Sequence, residues 1–391
     1  MLTQRQLFLN HIAQTSETPL ALEIERAEGV YLIGHSGKKY LDLISGISVS
    51  NVGHRHPKVV QAIHEQLDKY MHLMVYGEYI QTPQVKLASL LTKSLPQNLN
   101  SVYFVNSGAE AIEGAMKLAK RVTGRTEIIS FKNAYHGSTH GSLSIMGSEE
   151  FKNAFRPLLP DVRQIEFNNF YQLAEITERT ACVFVEPIQG EAGAIVPQKD
   201  FLKKLETRCK AVGALLIADE IQTGFGRTGK LFGFEHFEII PDIVCIAKGM
   251  GGGMPIGAFV SSKVLMHSLT NNPILGHITT FGGHPVCCAA AIAVMEILTQ
   301  SDLVASVAKK EKLIRELLIH PKIKSVNGKG LLLAVEFDSF EQNKTIIDKC
   351  IEAGVITDWF LFNSHSMRIA PPLTITEEEL KTACEIIVKS L

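Results

Sequence analysis

The sequence carries almost no net charge. Its 391 residues sum to −1 with the histidines neutral, and no long basic run interrupts that balance. Nucleic-acid binding needs a positive surface, so no such partner is expected. Long hydrophobic runs are lacking too. The longest, VCCAAAIAVM at 286–295, is about half of the ~20 residues that cross a bilayer, so no membrane span is expected. The opening stretch MLTQRQLFLNHIAQ has helical spacing and no continuous apolar core of a signal peptide. Cysteines are few, odd in number and scattered: Cys182, Cys209, Cys245, Cys287, Cys288, Cys350 and Cys384. Most lie in apolar stretches, so they read as reduced core residues of a cytoplasmic enzyme and exclude a disulfide framework. Internal repeats, low-complexity segments, linkers and a P-loop signature are all absent. GHRHP and HGSTH pair histidines without a third ligand cluster, so no metal is expected.

What remains is a chain that is 46% hydrophobic, ample for a large core. A prior of ~150 residues per domain gives two domains, or one large and one small. Short apolar runs alternate with amphipathic helical stretches. SVYFV (101–105), EIIS (127–130), ACVFVE (181–186), ALLIAD (214–219) and DIVCIA (242–247) read as strands. AEAIEGAMKLAKRV (109–122) and FLKKLETRCKAVG (201–213) read as helices. Strands apolar almost throughout, alternating with helices, predict an α/β fold with a mainly parallel sheet covered on both faces. Residues 20–43 read as a hairpin or meander turning at HSGKK. A large domain over 49–290 is expected, with 1–48 and 291–391 forming a smaller α+β domain.

Ligands of parallel sheets collect at the carboxyl ends of strands, and three motifs sit there. In PDIVCIAKGMGGGMPIGAF (241–259), Lys248 follows an apolar strand and precedes a string of glycines. Burial there disfavours the ammonium form, and a neutral amine attacks carbonyls. Taken alone, the plainer reading is a lysine that snorkels to the surface. In ALLIADEIQTGFGRTG (214–229), Asp219 ends a strand. It reads as a partner for a protonated ring nitrogen, such as pyridoxal phosphate presents, or as a helix cap. In YFVNSGAEAIEGAMKLAKRVTG (103–124), a Ser107-Gly108 turn opens a helix whose free amides suit a phosphate. Any capped helix after a strand shares that last pattern.

Together these motifs resemble the class III, ornithine/4-aminobutyrate-type, pyridoxal-phosphate aminotransferases of fold type I. The resemblance runs from about residue 20 to about 385. It is carried by GHRHPKVVQAI (53–63), FVNSGAEAIEGAMKLA (104–119), AYHGST (134–139), VEPIQGEAG (185–193), IADEIQTGFGRTG (217–229), PDIVCIAKGMGGGMPIGA (241–258), TTFGGHP (279–285) and MRIAPPLTIT (367–376). It implies that Lys248 holds the cofactor as a Schiff base and moves the proton, and that Asp219 pairs with the pyridine nitrogen. Tyr135 stacks on one ring face and Ile221 on the other, and Gln222 touches the ring hydroxyl. His136 and Glu186 belong to the same cofactor site. Ser107, Gly108 and Ala109 cradle the phosphate, and Thr280 completes that cradle from a neighbouring subunit, so a homodimer with shared sites is implied. Arg368 grips a substrate carboxylate, and Glu191 covers that arginine when a terminal amine reacts. Each has a plainer reading: Tyr135 in the core, Thr280 a loop hydroxyl, Arg368 a surface ion-pair partner, Glu191–Arg368 a static pair.

The implied reaction moves an amino group from an ω-amino acid or acylated diamino acid to 2-oxoglutarate by a ping-pong route. A decarboxylating transaminase, an aminomutase and a non-catalytic relic are the alternatives. One position departs from the family. Where ornithine-type enzymes usually read HGRT, this chain has His136-Gly137-Ser138-Thr139. A serine supplies no charged fork for a distal carboxylate, so either another cation such as Arg156 substitutes or the substrates differ. GFGRTG (224–229) matches a dinucleotide fingerprint only in spelling, because no clear helix follows it.

Overall fold

A computed structural model describes residues 2–391. Near its start the chain forms β1 (Ile24–Glu28), β2 (Tyr31–Gly34) and β3 (Lys39–Asp42). The middle supplies β4 (Ser101–Val105), β5 (Glu127–Phe131), β6 (Val162–Ile165), β7 (Thr180–Val185), β8 (Leu215–Asp219), β9 (Ile243–Ile246) and β10 (Gly257–Ser261). The last part supplies β11 (Ser325–Lys329), β12 (Leu332–Glu336), β13 (Val355–Ile356), β14 (Trp359–Phe360) and β15 (Asn363–Ile369).

Seven strands build the central sheet, in the order β4-β10-β9-β8-β7-β5-β6. All neighbours run parallel except β10, which is antiparallel to both β4 and β9. The expected α/β fold with its mainly parallel sheet is therefore present. Alternation explains its burial. On β7, Val183 and Val185 join one core cluster while Cys182 and Phe184 join another, and every residue of the strand is buried. Both faces thus need a cover, and each fully buried side chain contributes roughly 1.5–3 kcal/mol.

On one face lies the helix Gly108–Thr123. It starts where the Ser107 hydroxyl accepts the Glu110 N–H at 3.2 Å, and it stops at Gly124 in the left-handed region. Its buried residues Ala111, Ile112, Ala115, Met116, Leu118 and Ala119 recur at helical spacing toward the sheet. Gly114 lets it approach closely, since a Cβ there would fall 2.3 Å from the Phe259 ring. Across the sheet, helices Pro57–Leu67 and Thr82–Lys93 pack on the helix Pro285–Thr299. That last helix contains the longest apolar run and is buried nearly all round. Among the described residues no single helix is long and apolar enough to cross a membrane.

Two smaller sheets flank this layer. One has the order β1-β2-β3-β13, so Val355 and Ile356 pair in parallel with Leu41 and Asp42. The other is antiparallel, β11-β12-β15-β14. All seven cysteines are free and buried.

Between β3 and the central layer the chain makes an unusual turn. Ser45, Gly46, Ile47 and Ser48 all hold positive φ, at 52°, 60°, 61° and 64°. Left-handed backbone costs a non-glycine residue roughly 1–2 kcal/mol. Asp42 holds the turn by accepting the Ile44 and Ser45 N–H groups at 2.7 and 2.9 Å, and the Ser45 hydroxyl donates to Ala370 O at 2.6 Å.

Candidate active site

The carboxyl ends of the parallel strands meet at one cavity of about 450 Å³. β4 delivers Ser107, Gly108 and Ala109 to its wall. Tyr135, His136 and Ser138 arrive after β5, and Glu186 and Glu191 after β7. Asp219 ends β8, with Ile221 and Gln222 just beyond, and Lys248 follows β9.

The helix start at Ser107 gives the first part of the site. Amides of the opening turn of Gly108–Thr123 lack intrahelical acceptors, so an anion is stabilised there. Gly108 is required by packing: a Cβ would lie 2.8 Å from Ile221 Cδ1.

Asp219 gives the second part. Its Oδ2 lies 2.7 Å from His136 Nδ1, and its Oδ1 accepts the Ile221 N–H at 3.0 Å. The His136 ring is buried beside Phe184. Its other nitrogen, Nε2, is buried without a partner among the described residues.

Lys248 opens a short 3₁₀ turn, Lys248–Gly251, with φ at +43°. A lysine in the left-handed region is strained, and such strain concentrates at functional sites. Burial pushes its ammonium down, and the Glu191 and Asp219 carboxylates oppose that push. Its side chain therefore faces the cavity and does not snorkel to the outer surface. Glu186 accepts the Tyr135 and Gly190 N–H groups, both at 3.2 Å. Burial, reinforced by the Asp219 charge, raises its carboxyl well above the usual range.

Glu191 and Arg368 give the third part. Arg368 donates through Nη1 and Nη2 to the two Glu191 oxygens, each at 3.0 Å, and through Nε to Asp358 Oδ1 at 2.8 Å. The Phe360 ring lies 4.3 Å from the guanidinium carbon. Against the upward push of burial, the Arg368 guanidinium holds the Glu191 carboxyl down to about 2. Leu361 N and Gln222 Nε2 also donate to Glu191, at 3.1 and 3.2 Å. Arg368 is 2% exposed, so it is no surface ion-pair partner. It sits behind Glu191, while Glu191 itself lines the cavity.

Two candidates lie elsewhere. Thr280 is exposed and does not line this cavity. Arg156 is exposed and bound by Glu149, outside the cavity, so it does not substitute for a cation at Ser138. Ser138 itself lines the cavity, 3.1 Å from the Tyr135 hydroxyl. Val49, Asn106, Met254, Pro255 and Ile256 also line it and escaped sequence reasoning. For the last three a signal existed, since they directly follow the glycines after Lys248. Asp358 gave none, because it reaches Arg368 only through the pairing of β14 with β15.

These residues fit a planar, phosphorylated pyridine aldehyde. A helix start and Ser107 suit the phosphate, the Ile221 and Tyr135 side chains suit the ring, and Asp219 suits its nitrogen. The unpartnered His136 Nε2 marks polar capacity that the chain leaves unfilled. The fold and this cavity place the chain among the pyridoxal-phosphate-dependent enzymes.

Comparison makes the class specific. The sequence matches the family described as Aminotransferase class-III over residues 12–391. It is 37% identical over 384 residues to an acetylornithine aminotransferase of Methanopyrus kandleri, covering 97% of this chain and 96% of that one. It is 39% identical over 374 residues to an acetylornithine aminotransferase of Bacillus cereus, covering 94% of each. A solved ornithine aminotransferase of Toxoplasma gondii, with partial occupancy of PLP at its active site, superposes with a TM-score of 0.91. Its identity is 30%, over 98% of this chain and 92% of that one. The chain belongs to the class-III aminotransferase family, whose members use pyridoxal phosphate.

Proposed function

We propose that the enzyme transfers the amino group of a terminal amine to an oxo acid in two half-reactions. The donor is an ω-amino acid or acylated diamino acid of the ornithine, N-acetylornithine or 4-aminobutyrate kind, and 2-oxoglutarate is the first acceptor to test. The observation that carries this reading is the closed Glu191–Arg368 pair. A terminal amine needs no carboxylate anchor beside the reacting carbon, so the pair stays shut. Glutamate or its oxo acid carries a carboxylate there and competes with Glu191 for the guanidinium fork. One arginine thereby serves two substrates of different shape.

Bound here, pyridoxal phosphate supplies an aldehyde and a ring that accepts the electron pair freed at the substrate carbon. Lys248 ties the cofactor and carries the proton between substrate and cofactor carbons. Its burial favours the neutral amine that this task needs. Asp219 keeps the ring nitrogen protonated, while His136 holds the second carboxylate oxygen. Ser107, Gly108 and Ala109 bind the phosphate, and Tyr135 and Ile221 enclose the ring. Gln222 orients Glu191 and reaches the ring hydroxyl. Thr280, absent from its own chain's cavity, completes the phosphate site of a second copy in a homodimer.

The test mixes single amines with the purified protein and follows loss of the bound cofactor's visible absorbance. Glutamate, ornithine, N-acetylornithine and 4-aminobutyrate are compared. At least one terminal amine and one α-amino acid are expected to react. Lys248→Ala is expected to fold, to bind cofactor without the covalent link, and to lose turnover by roughly 10³-fold or more. Normal turnover in that variant sinks the reading.

A further inference from the structure

We propose that the end of the amino donor remote from the reacting nitrogen is received as a neutral group, with Ser138 setting that preference. The inference rests on the aminotransferase reading and departs from its donor class, whose ω-amino acids carry a carboxylate at that far end. Exposure orients the cavity. Asp219 and Glu191 are buried at its floor with half-buried Lys248 beside them, whereas Ser138 and Pro255 are exposed and mark its mouth. A donor reacting at the floor must extend its other end to that mouth.

The charges around the cavity decide what the mouth accepts. Among the described residues Lys248 is the one lysine or arginine lining it, and the cofactor takes that nitrogen. Three carboxyl groups, Glu186, Glu191 and Asp219, line the same space. The Arg368 guanidinium is held by Glu191 at 3.0 Å and by Asp358 at 2.8 Å. The segment after residue 148 adds no residue to the cavity lining. Phe151 packs edge-on against Phe362, which neighbours the Tyr135 ring, so this segment lies beside the mouth. Its Lys152 and Arg156 are both bound by Glu149.

What faces the donor's far end is a hydroxyl pair, Ser138 Oγ and the Tyr135 hydroxyl, 3.1 Å apart, in a cavity that apolar Met254, Pro255 and Val49 also line. Hydroxyls both donate and accept. A carboxamide, N-acyl group or alcohol uses both capacities, whereas a carboxylate only accepts. A carboxylate also meets no counter-charge there, which costs it free energy on leaving water.

The test uses the assembled enzyme, so a cation brought by a second copy is counted. Half-reaction rates at low donor concentration are measured for 4-aminobutanamide and 4-aminobutyrate, which share shape and differ in far-end charge. In the natural protein the amide is expected to react at least fivefold faster. Ser138→Arg is expected to shift that ratio toward the acid by tenfold or more, while 1-aminobutane changes less than threefold. An amide advantage below fivefold in the natural protein overturns the proposal, whether or not the variant folds. So does a folded Ser138→Arg that leaves the ratio unmoved. If neither donor reacts but other terminal amines do, this inference alone fails; if no amine reacts at all, the aminotransferase reading fails with it.

Discussion

Arg227 and Arg368 are both buried, at 0% and 2% exposure, yet their surroundings are opposites. Arg368 is matched by charge, through Glu191 and Asp358. Arg227 makes no ion pair among the described residues. Its Nη1 donates to Leu331 O at 2.8 Å and Pro371 O at 2.6 Å, and its Nη2 donates to Asn51 Oδ1 at 2.5 Å. Its Nε has no partner among the described residues. Burial pushes the Arg227 guanidinium down to about 9, which still leaves it charged at neutral pH. The contrast separates two uses of one side chain. A guanidinium balanced by a carboxylate on a cavity wall can exchange that anion for a substrate's. A guanidinium solvated by carbonyls from three distant parts of the chain cannot exchange anything, and it fastens those parts together.

The sharpest way to break this contrast is to remove the fastening. Arg227→Met keeps volume but strips donors from Asn51 and the two carbonyls. Each buried acceptor left unmet costs about 1–3 kcal/mol, and relief of the arginine's own burial offsets part of that. A net loss of about 4 kcal/mol is expected, read as a lower urea midpoint. Arg227→Lys restores less than half, since one ammonium cannot span three acceptors. An unchanged midpoint in Arg227→Met would show that the joint does not depend on this side chain.

Acid separates the two arginines next. The Glu191 carboxyl lies near 2 when folded, below its ordinary 4.5. A depressed acid contributes stability that is complete above about pH 4.5 and disappears as pH falls through 2. For a buried group shifted this far, the contribution is about 3 kcal/mol. No carboxylate forms an ion pair with Arg227 among the described residues, so the comparison isolates the Glu191 contribution. Urea unfolding between pH 5 and pH 2.5 is expected to lose about 2 kcal/mol more in the natural protein than in Glu191→Gln. Parallel pH curves for the two proteins would detach acid sensitivity from the Glu191–Arg368 pair.

These two sites also mark how far the sequence can be read. The strands that carry Asp219 and Lys248 are continuous apolar runs, because both faces of a parallel sheet are buried, and their ends point to the cavity. Ser107, Gly108 and Ala109 are legible for the same reason, at the junction of β4 and a helix. β10 was not foreseen. It is antiparallel and starts at Gly257, so it breaks the strand–helix alternation that reveals the others. The partners of Arg227 were equally hidden: Asn51 lies 176 positions away and Pro371 lies 144. Local pattern encodes which face of an element is buried. It does not encode which distant carbonyl an arginine will meet once several elements have packed. Ser138 stands between these cases, since its identity was plain and the emptiness of its surroundings in positive charge became visible only in three dimensions.

The finest test asks whether the Arg368 pair really exchanges. Glu191→Gln preserves shape and the hydrogen bond from Leu361 N while removing the charge that closes the guanidinium. Arg368 then keeps Asp358 and faces the cavity with its fork unmatched. A donor with a carboxylate beside its reacting carbon needs that fork open, so the glutamate half-reaction is expected to hold within about threefold. A terminal amine such as ornithine is drawn toward the open fork through its carboxylate, which carries the terminal nitrogen away from Lys248. Its half-reaction is expected to slow by about tenfold, close to 1.4 kcal/mol. Fold stability at neutral pH is expected to fall by about 3 kcal/mol, because the variant lacks the charge that the Arg368 guanidinium stabilises. Equal slowing of both halves would make the pair a static support, and Arg368 would then resemble Arg227 more than its carboxylates imply.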